Sequence, residues 1–492
     1  MKRTAPALTS FAAPRGGAAS LGAARREGSA LNGQLVLVLG LGESGLAMAR
    51  WCAWRGARLR VADTRAEPPG AGALQAAVPG LELVTGPFEA GLLEGVGRVA
   101  VSPGLDPRGG IIALARERGL TITGELALFA EALAELGQRQ ATRIVAITGT
   151  NGKTTTTALT GALVASAGLD TAVAGNISPA VLAVLLDRLE QGQALPACWV
   201  LELSSFQIET LGSLAFDAAT VLNVTDDHLD RYTDLADYAA TKARIFEGGG
   251  VQVVNRQDSR VAAMARAGGQ VFTFGTDAPA GPDDFGLEVV DGQPWLMRGQ
   301  APRLPVASLQ LAGLHNVANA LAALALAEAI GLAPEKLVPA LAAFKGLPHR
   351  VEKVARRADG VEFYDDSKGT NVGATVAALE GLGRTVVLIA GGDGKGQDFG
   401  PLGAAFARHA RAVVLIGRDA ARIETAVAGC GAPLVHAADM DEAVGRAATL
   451  AQPGDAVLLS PACASLDMFR NYAHRAEVFI AAVLGLPGVE RP

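Results

Sequence analysis

The sequence predicts an α/β protein of three domains with mainly parallel sheets. Short apolar runs rich in Val, Ile and Leu recur along the chain and end in turns that carry Gly or Ser, which is typical of buried parallel strands. Stretches with the composition of helices separate these runs. The 492 residues, half of them hydrophobic, suffice for about three domains with cores of their own.

The first domain begins with a βαβ unit. The strand QLVLVLG is followed by a helical stretch, ESGLAMARWCAWRGA, and by a second strand, RLRVADTR. Further strands follow at GRVAVSPG and LTITGE, and we expect this domain to cover residues 33–131. Residues 1–32 are rich in Ala, Gly and Arg with little periodicity, so we predict a disordered tail there.

Two further α/β alternations follow. The second contains TRIVAITGT, CWVLELSS and AATVLNVTDDH, which predicts a central domain over residues 132–346. The third contains TVVLIAGGDGK, RAVVLIGRDA and DAVLLSPACAS, which predicts a C-terminal domain over residues 347–492. The alanine-rich stretch 317–334 predicts a core helix and not a membrane-spanning helix, because Asn319 and Glu328 interrupt its apolar run.

Charge and cysteine content exclude several classes of function. The net charge is −6 and the pI is about 5.7, so no basic surface indicates nucleic-acid binding. The four cysteines and six histidines form no C-x-x-C pair and no zinc-ligand spacing. The sequence contains no membrane-spanning stretch and no secretory signal, which predicts a cytoplasmic protein without membrane insertion.

The stretch ITGTNGKTTTTAL, residues 147–159, follows a β-branched strand and opens a helix. It differs from the phosphate loop G-x-x-x-x-G-K-[ST] because Ile147 stands where the first glycine belongs. Backbone N–H groups of such a loop can hold phosphates, Lys153 can neutralise their oxygens, and Thr154 can bind Mg²⁺. The alternative is a glycine turn before a helix with a chance lysine.

A second phosphate-type signature is GLGESG at residues 40–45. It fits G-x-G-x-x-G after a strand, and Asp63 ends the next strand where a ribose-binding acid is expected. Taken alone, this pattern indicates NAD, although any nucleotide diphosphate can use the same loop. An ordinary structural turn is a further alternative.

Charged and polar side chains also stand at the ends of later strands. Glu202 in LELSSFQIE and His228 in NVTDDHLDRY follow apolar strands, where open α/β sheets bind ligands, and both can hold Mg²⁺. A solvated glutamate and a structural histidine are the alternatives. The surrounding sequence, YAATKARIFE, predicts that Lys242 is an exposed lysine on a helix. Arg350 in LPHRVE can stabilise phosphate charge, with solvation at the surface as the alternative.

The C-terminal third contains three more motifs of this kind. Lys368 in DDSKGTN can also stabilise phosphate charge, with solvation as its alternative. Lys395 lies in GGDGKGQDF on a glycine-rich strand exit. Ser465 in SPACASLDMF lies near an expected helix start, where free N–H groups favour an anion.

Together these motifs resemble those of the Mur ligases of peptidoglycan precursor synthesis. The resemblance covers nearly everything after residue 32, and it rests on TGTNGKTT, GNIS, LELSSFQIE, NVTDDHLDRY, LHNVANALAA, GLPHRVE, DDSKGTN, GGDGKGQDF and SPACASLDMF. It implies a Rossmann-like UDP-binding N-terminal domain, a central P-loop-type ATPase domain and a Rossmann-like C-terminal domain. It also implies a monomeric amide ligase that uses ATP and Mg²⁺ to add D-glutamate to UDP-N-acetylmuramoyl-L-alanine through an acyl phosphate.

The resemblance also implies roles for individual residues. ATP is expected at Gly149, Thr150, Asn151, Gly152, Lys153, Thr154, Thr155, Asn316, Arg350 and Asp366. The UDP-substrate is expected at Gly42, Glu43, Ser44, Asp63, Thr64, Arg65, Ser102, Asn176 and Ser204. D-Glutamate is expected at Lys368, Thr370, Lys395, Ser465, Leu466 and Tyr472, of which Tyr472 stands where a phenylalanine is familiar. The metal ligands are expected to be Thr154, Glu202, His228 and Lys242, the last as a carbamate formed with CO₂. The catalytic set is Lys153, Glu202, His228, Lys242 and Lys368.

Three other functions stay open at this point. A different Mur-type or folate-type ligase shares the ATP-binding core but adds another amino acid. An NAD-dependent oxidoreductase uses GLGESG but leaves the phosphate loop within residues 147–159 unexplained. A non-catalytic nucleotide-binding protein does not need the intact set of Lys153, Glu202, His228 and Lys242.

Overall fold

The structure, a computed structural model, describes residues 29–78, 81–227, 231–311 and 313–491. The chain divides into two compact units. Among the described residues, the first contains those within 29–146, 168–217 and 244–250, and the second contains those within 147–167, 218–243 and 251–491.

The strands and helices of the described residues are numbered in chain order. The strands are β1 (Leu35–Leu39), β2 (Arg58–Asp63), β3 (Glu82–Thr85), β4 (Arg98–Val101), β5 (Thr121–Thr123), β6 (Arg143–Thr148), β7 (Thr171–Gly175), β8 (Cys198–Glu202), β9 (Ala218–Val221), β10 (Val251–Asn255), β11 (Val271–Phe274), β12 (Asp284–Val290), β13 (Gln293–Arg298), β14 (Ala301–Pro305), β15 (Glu352–Arg357), β16 (Glu362–Asp365), β17 (Val386–Gly391), β18 (Ala410–Ile416), β19 (Leu434–His436), β20 (Ala456–Leu459) and β21 (Val489–Glu490). The helices are α1 (Glu43–Trp54), α2 (Ala71–Ala77), α3 (Gly110–Glu117), α4 (Glu125–Glu135), α5 (Lys153–Ser166), α6 (Val181–Glu190), α7 (Ser205–Ile208), α8 (Leu235–Ala243), α9 (Ser259–Ala262), α10 (Leu314–Ala329), α11 (Pro334–Ala343), α12 (Val372–Gly381), α13 (Gly400–His409), α14 (Ala420–Ala426), α15 (Met440–Leu450) and α16 (Tyr472–Leu484).

The first unit contains a five-stranded sheet in the order β3-β2-β1-β4-β5, and all its neighbouring strands are parallel. The direction in which strands are added reverses between β1 and β4. Ligands of open α/β sheets bind at such a switch point, beyond the carboxyl ends of the strands. The predicted βαβ unit and the two predicted strands after it are confirmed as β1, α1, β2, β4 and β5. The unit also contains β7 and β8, which pair in parallel.

The second unit contains a seven-stranded sheet in the order β19-β18-β17-β20-β16-β15-β21. It is parallel except at β15, which runs antiparallel to both β16 and β21. Apolar clusters cover its two faces, one around Leu388 and Phe406 and the other around Ile389 and Phe479. The α/β class with mainly parallel sheets is therefore confirmed, and the three strands predicted in this region are β17, β18 and β20.

The second unit also contains β9, which the sequence predicted within AATVLNVTDDH, and the strands β10 to β14, which it did not predict. Strands β9 to β12 pair in parallel in sequence order, and β12, β13 and β14 then form an antiparallel meander. The meander turns at Asp291 and Gly292, both of which have positive φ angles, 51° and 78°. A two-residue Asp-Gly connection of this kind is typical of a tight hairpin.

The predicted core helix over residues 317–334 is confirmed as α10, but its predicted end is wrong. The helix ends at Ala329, because Gly331 adopts a φ of +87°. The N–H of Gly331 donates to the carbonyl of Glu328, and the N–H of Leu332 donates to that of Ala327. This pair of bonds is a Schellman ending, which terminates a helix at a glycine.

Two expectations concern the chain ends and the membrane. The predicted tail lies outside the described residues up to residue 28, while residues 29–32 belong to a turn in which Leu31 is buried. The predicted tail and the domain boundaries stay predictions. Within the described ranges, no helix combines the length and apolar character that crossing a membrane requires.

Candidate active site

The loop after β1 is built so that the backbone can approach a ligand closely. Gly40 has a φ of +83°, and a Cβ on Gly45 would lie 1.9 Å from the carbonyl oxygen of Gly40, so both positions need glycine. A Cβ on Gly40 would lie 2.9 Å from the Cβ of Ser102 at the end of β4. Helix α1 starts directly afterwards, and its N-cap residue Gly42 offers no side-chain cap. The N–H groups of this helix start suit an anion.

Asp63, at the end of β2, anchors this loop. Its Oδ2 accepts a hydrogen bond from the backbone N–H of Leu41 at 2.6 Å and one from the guanidinium of Arg65 at 2.6 Å. The Arg65 guanidinium, helped by the backbone bonds from Leu41 and Arg65, lowers the pKa of Asp63 to about 2. The carboxylate is therefore ionised and already engaged, and a ribose hydroxyl would share it with these donors. Thr64 is exposed beside it.

The first two residues of α1 form side-chain hydrogen bonds to other segments of the first unit. The carboxylate of Glu43 accepts hydrogen bonds from the hydroxyl of Ser178 at 2.5 Å and from the backbone N–H of Ala180 at 3.0 Å. Ser44 hydrogen-bonds to Glu125, which is buried and also accepts the N–H of Leu182 at 3.1 Å.

Asn176 and Glu202 form a pair at the carboxyl ends of β7 and β8. The Nδ2 of Asn176 donates to the Oε1 of Glu202 at 2.7 Å, and its backbone N–H donates to the Glu202 carbonyl at 2.8 Å. Glu202 is 2% exposed, and its Oε2 has no hydrogen-bond partner among the residues that the structure describes. A buried carboxylate oxygen without a donor is costly unless a cation binds it. Ser204, in contrast, uses its hydroxyl to cap α7 together with Gln207.

In the second unit, the short phosphate loop lies between β6 and α5. Gly149 has a φ of +152° and Gly152 a φ of +82°, and a Cβ on Gly152 would lie 2.5 Å from Oδ1 of Asn319. The backbone N–H of Thr150 donates to the carbonyl of Asn223 at 2.9 Å. The backbone N–H of Asn151 donates to Asn223 Oδ1 at 2.8 Å. Asn223, which the sequence did not predict as a site residue, therefore shapes this loop.

Lys153 and Lys242 both hydrogen-bond to this loop. The Nζ of Lys153 donates to the carbonyls of Gly149 and Thr150, each at 2.8 Å. The Nζ of Lys242 donates to the Gly149 carbonyl at 3.1 Å and lies 4.5 Å from the centre of the Tyr238 ring. Lys242 is only 1% exposed, so its interpretation as an exposed helix lysine is wrong. Burial, with a smaller contribution from Lys153, lowers the pKa of Lys242 well below its ordinary value.

Two segments distant in sequence contact the start of α5. The guanidinium of Arg350 donates to the hydroxyl of Thr154 at 2.6 Å. Asn371, the N-cap of α12, donates to Asn151 Oδ1 at 3.4 Å. Residues predicted from two separate motifs for ATP thus meet at one helix start.

Asn316 is connected to helix α5 through hydrogen bonds of Asn319. Asn319 donates to Asn316 Oδ1 at 3.1 Å and accepts a hydrogen bond from the Thr156 hydroxyl at 3.2 Å. Both asparagines and Thr155 are buried. Asn319 is therefore a positioning residue that the sequence prediction missed, although its spacing on the motif LHNVANALAA is a signal for it.

The motif DDSKGTN follows β16 and is tied to α16. The carboxylate of Asp366 accepts a hydrogen bond from the Ser460 hydroxyl at 2.7 Å, and burial raises the pKa of Asp366 to about 7. The ammonium of Lys368 lies 3.9 Å from the centre of the Tyr472 ring. The N–H of Thr370 donates to the Lys368 carbonyl at 2.9 Å. Lys368 and Tyr472, predicted from separate motifs, are thus in contact.

Lys395 and Ser465 lie on neighbouring turns. Backbone bonds between Asp393 and Ala464, at 3.0 and 2.9 Å, join the two turns. Lys395 is exposed with a φ of +50°, whereas Ser465 is buried. Leu466, the next residue, is 68% exposed.

The sequence reasoning missed residues that hold these motifs together. The buried Arg475 donates to the carbonyls of Ser367 and Cys463, and so links the two motifs that carry Lys368 and Ser465. An arginine inside a helix gives no sequence signal for such a role. His228 lies outside the described residues, and the site assignments as a whole stay predictions.

Comparison with known families supports the same reading of the motifs. Residues 34–124 match the model described as Mur ligase MurD-like, N-terminal domain. Residues 147–327 match that of the Mur ligase middle domain, and residues 349–463 match that of the Mur ligase glutamate ligase domain.

Curated relatives are similar over almost their whole length. A UDP-N-acetylmuramoylalanine–D-glutamate ligase of Aromatoleum aromaticum is 68% identical over 462 residues, which cover 94% of this chain and 99% of the relative. One of the same name from Ralstonia nicotianae is 56% identical, with 92% of this chain and 97% of the relative covered.

Solved structures resemble the chain in fold. A UDP-N-acetylmuramate-alanine ligase from Thermotoga maritima is 20% identical with a TM-score of 0.55, and the match covers 91% of this chain and 98% of that one. A pseudomurein peptide ligase type C from Methanothermus fervidus is 18% identical with a TM-score of 0.52, covering 91% and 99%.

Proposed function

The chain belongs to the Mur ligase family, and we propose that it catalyses the ATP-dependent addition of D-glutamate to UDP-N-acetylmuramoyl-L-alanine, a step of peptidoglycan precursor synthesis. The observation that carries this proposal is the similarity, over nearly the whole chain, to relatives named for this reaction. Membership of a ligase family also accounts for the phosphate loop within residues 147–159, which the oxidoreductase alternative leaves unexplained. The loop GLGESG is then the binding site for the UDP moiety.

The chemistry follows from the poor reactivity of a carboxylate toward an amine. ATP transfers its γ-phosphoryl group to the substrate carboxylate, which gives an acyl phosphate and ADP. The amine of D-glutamate then attacks the acyl carbon, and the tetrahedral intermediate collapses to the amide with loss of phosphate and a proton. Charge on phosphoryl oxygens grows during both steps, so fixed positive groups near them accelerate the reaction.

The phosphate loop supplies several of these groups. The N–H groups of residues 149–155 and the ammonium of Lys153 can surround the phosphates of ATP. Arg350, already bonded to Thr154, adds a second cation at the start of α5. Asn316 and Asp366 complete the proposed contacts with ATP, and Asn319 holds Asn316 in place.

The oxygen donors proposed as ligands are of the kind that a magnesium ion, a hard cation, prefers. Glu202 offers a buried oxygen that lacks a partner within the described ranges, and Thr154 offers a hydroxyl at the phosphate loop. We assign His228 and the carbamate of Lys242 as further ligands. When bound, Mg²⁺ supplies positive charge to the phosphoryl oxygens.

The burial of Lys242 supports its carbamylation. An amine reacts with CO₂ only when it is neutral, and the low-dielectric surroundings of Lys242 together with the neighbouring Lys153 favour the neutral form. The carbamate replaces a positive charge by a negative one, which then complements Lys153 and the metal. The proposed D-glutamate site consists of Lys368, Thr370, Lys395, Ser465, Leu466 and Tyr472.

Phosphate release by the purified protein tests the proposed function. The assay contains UDP-N-acetylmuramoyl-L-alanine, ATP and Mg²⁺ with one amino acid at a time. We expect release with D-glutamate and none with L-glutamate, L-lysine or a diaminopimelate. Release with another amino acid alone would overturn the substrate assignment but leave a ligase. Calorimetry should show binding of the UDP-substrate and none of NAD.

Three further properties belong to the same proposal. We propose a cytoplasmic location and a monomeric state. We also retain the domain boundaries near residues 131 and 346, which lie between the three family matches.

A further inference from the structure

Helices α1 and α6 lie side by side in the first unit and point the same way. At their amino-terminal ends, Glu43 of α1 contacts the residues immediately before α6. Further along, Arg50 of α1 forms ion pairs with Asp187 at 3.4 Å and Glu190 at 3.2 Å, both in the second half of α6. The starts of the two helices therefore lie at the same end of the pair.

The start of α6 is capped by carboxylates from outside the helix. Its N-cap residue Ala180 provides no side-chain cap, and its N–H donates to Glu43. Glu125 of α4 accepts the N–H of Leu182 in the first turn. Helix starts favour such negative groups, because unpaired N–H groups and the helix dipole meet there. The negative charge of Glu43 is thus directed at α6.

The turn between β7 and α6 connects this cap to Glu202. The turn is closed by a hydrogen bond from the N–H of Gly175 to the carbonyl of Pro179 at 3.0 Å. Asn176 lies within it and bonds to Glu202 through both its side chain and its backbone. Hydrogen bonds, together with the short backbone segments between them, therefore connect Glu43 through this turn to Glu202.

We propose that Glu43 is a positioning residue, which fixes the turn of residues 175–180 and thereby the Asn176–Glu202 pair, and that its carboxylate does not contact the UDP-substrate. A carboxylate directed at a diphosphate would repel it, whereas backbone N–H groups attract it. The N–H groups of residues 42–44 then bind the diphosphate. This inference rests on the proposed ligase activity, in which Glu202 serves the reacting phosphate.

Steady-state kinetics with each substrate varied separate the two roles of Glu43. We expect Glu43→Ala to lower kcat about tenfold and to change the KM for the UDP-substrate less than about threefold, since one displaced hydrogen-bonded turn misaligns the reacting groups. Glu43→Gln keeps an acceptor for Ala180 and a group that can bond Ser178, so it should restore most of kcat. Arg50→Ala is the matched control, because it removes an exposed link between the same two helices.

Addition of Ser178→Ala to Glu43→Ala should have little further effect, since both remove the same hydrogen bond. A raised KM for the UDP-substrate in both Glu43 variants, with kcat unchanged, would overturn the inference in favour of direct contact. An equal loss in Arg50→Ala would overturn it in favour of general loosening.

Amide hydrogen exchange decides the inference independently of activity. The N–H of Ala180 should exchange faster in Glu43→Ala than in the wild type, and at the wild-type rate in Arg50→Ala. Unchanged exchange in Glu43→Ala would overturn the positioning role, whereas an inactive wild type would overturn the proposed function alone.

Discussion

The ammonium groups of Lys153 and Lys242 converge on one acceptor, the carbonyl oxygen of Gly149, at 2.8 and 3.1 Å. Two cations on one carbonyl repel each other, and Lys242 is also removed from water. Both effects lower its pKa, burial being the larger. The neutral form of Lys242 is therefore favoured more than in a solvated lysine, and a neutral amine is what carbamate formation needs.

We predict that Lys242 is carbamylated and that Lys242→Ala lowers turnover by about 100-fold or more, because a metal-binding anion is lost. Short carboxylic acids such as acetate should restore part of the activity, since they can enter the space that the side chain leaves. Mass spectrometry of the native protein should detect the adduct.

Lys153→Ala is the matched control for this rescue. Its loss of turnover should be as large, but carboxylic acids should not restore it, because Lys153 acts as a cation. Full activity of unmodified protein in CO₂-depleted buffer would contradict the carbamate.

Glu202→Gln should separate function from stability. The substitution removes the charge of the buried Oε2, which lacks a partner in the described part of the chain, and keeps an acceptor for Asn176. We expect turnover to fall by about 100-fold or more, while the melting temperature without metal stays the same or rises. Mg²⁺ with ATP should raise the melting temperature of the wild type more than that of the variant. A variant that melts lower and turns over normally would show that Glu202 is a structural residue.

Local sequence patterns were sufficient to predict most of the strands that precede the motifs. The loop after β1 and the phosphate loop before α5 each join an apolar strand to a helix through glycines, and such signals are contained within a few residues. The meander β12 to β14 was missed because its strands mix polar, proline and apolar residues, as half-exposed strands do. Its turn at Asp291 and Gly292 was nevertheless a readable signal.

The inner parts of the candidate site depend on pairing between distant segments, which no local pattern reveals. The sequence around Lys242 is typical of a surface helix, yet the side chain of Lys242 contacts Thr148, which lies 94 residues earlier. The resemblance to a family gave Lys242 its role, and the structure adds the burial that makes the role chemically reasonable. Asn223 and Arg475, which hold loops in place, were not predicted at all.

Asp366 should make the unfolding free energy depend on pH. Its pKa is about 7 in the folded protein because burial disfavours the charge; Asp365 raises it further, and Ser460 and Arg350 oppose the rise. Below the ordinary value of 3.8, both states are protonated. As the pH rises from there to about 7, the unfolded chain releases the proton first, so the stability that Asp366 contributes is lost across this window.

Thermal melting of Asp366→Asn tests this expectation. The variant should gain in melting temperature relative to the wild type between about pH 5 and about pH 8, because it has no proton to lose. Asp359→Asn is the control, since Arg357 lowers the pKa of that exposed carboxylate and no change is expected in the same range. A difference between Asp366→Asn and the wild type that does not vary with pH would contradict the raised pKa.

The last prediction concerns the amino acid that is added. D-Glutamate has two carboxylates, so its pocket needs a cation. The exposed Lys395 lies on one turn, and the buried Ser465 follows a second turn. Backbone hydrogen bonds join the two turns. Lys395→Met removes the charge and keeps the length and the Cβ, so the strain at a φ of +50° is unchanged. We expect the KM for D-glutamate to rise about tenfold or more, because a charge-assisted bond is lost, with the KM for ATP within about threefold of the wild type.

Arg418→Met is the matched control for Lys395→Met. Arg418 is a neighbouring exposed cation that forms an ion pair with Asp393 at 3.0 Å and lies outside the proposed pocket, so its loss should leave both KM values near the wild type. An equal rise in both variants would mean that the general positive field, and not a contact, attracts the substrate. If the wild type used L-glutamate as well as D-glutamate, the specificity for the D-isomer would be refuted while the ligase activity would stand, since Lys395 reads charge and not chirality.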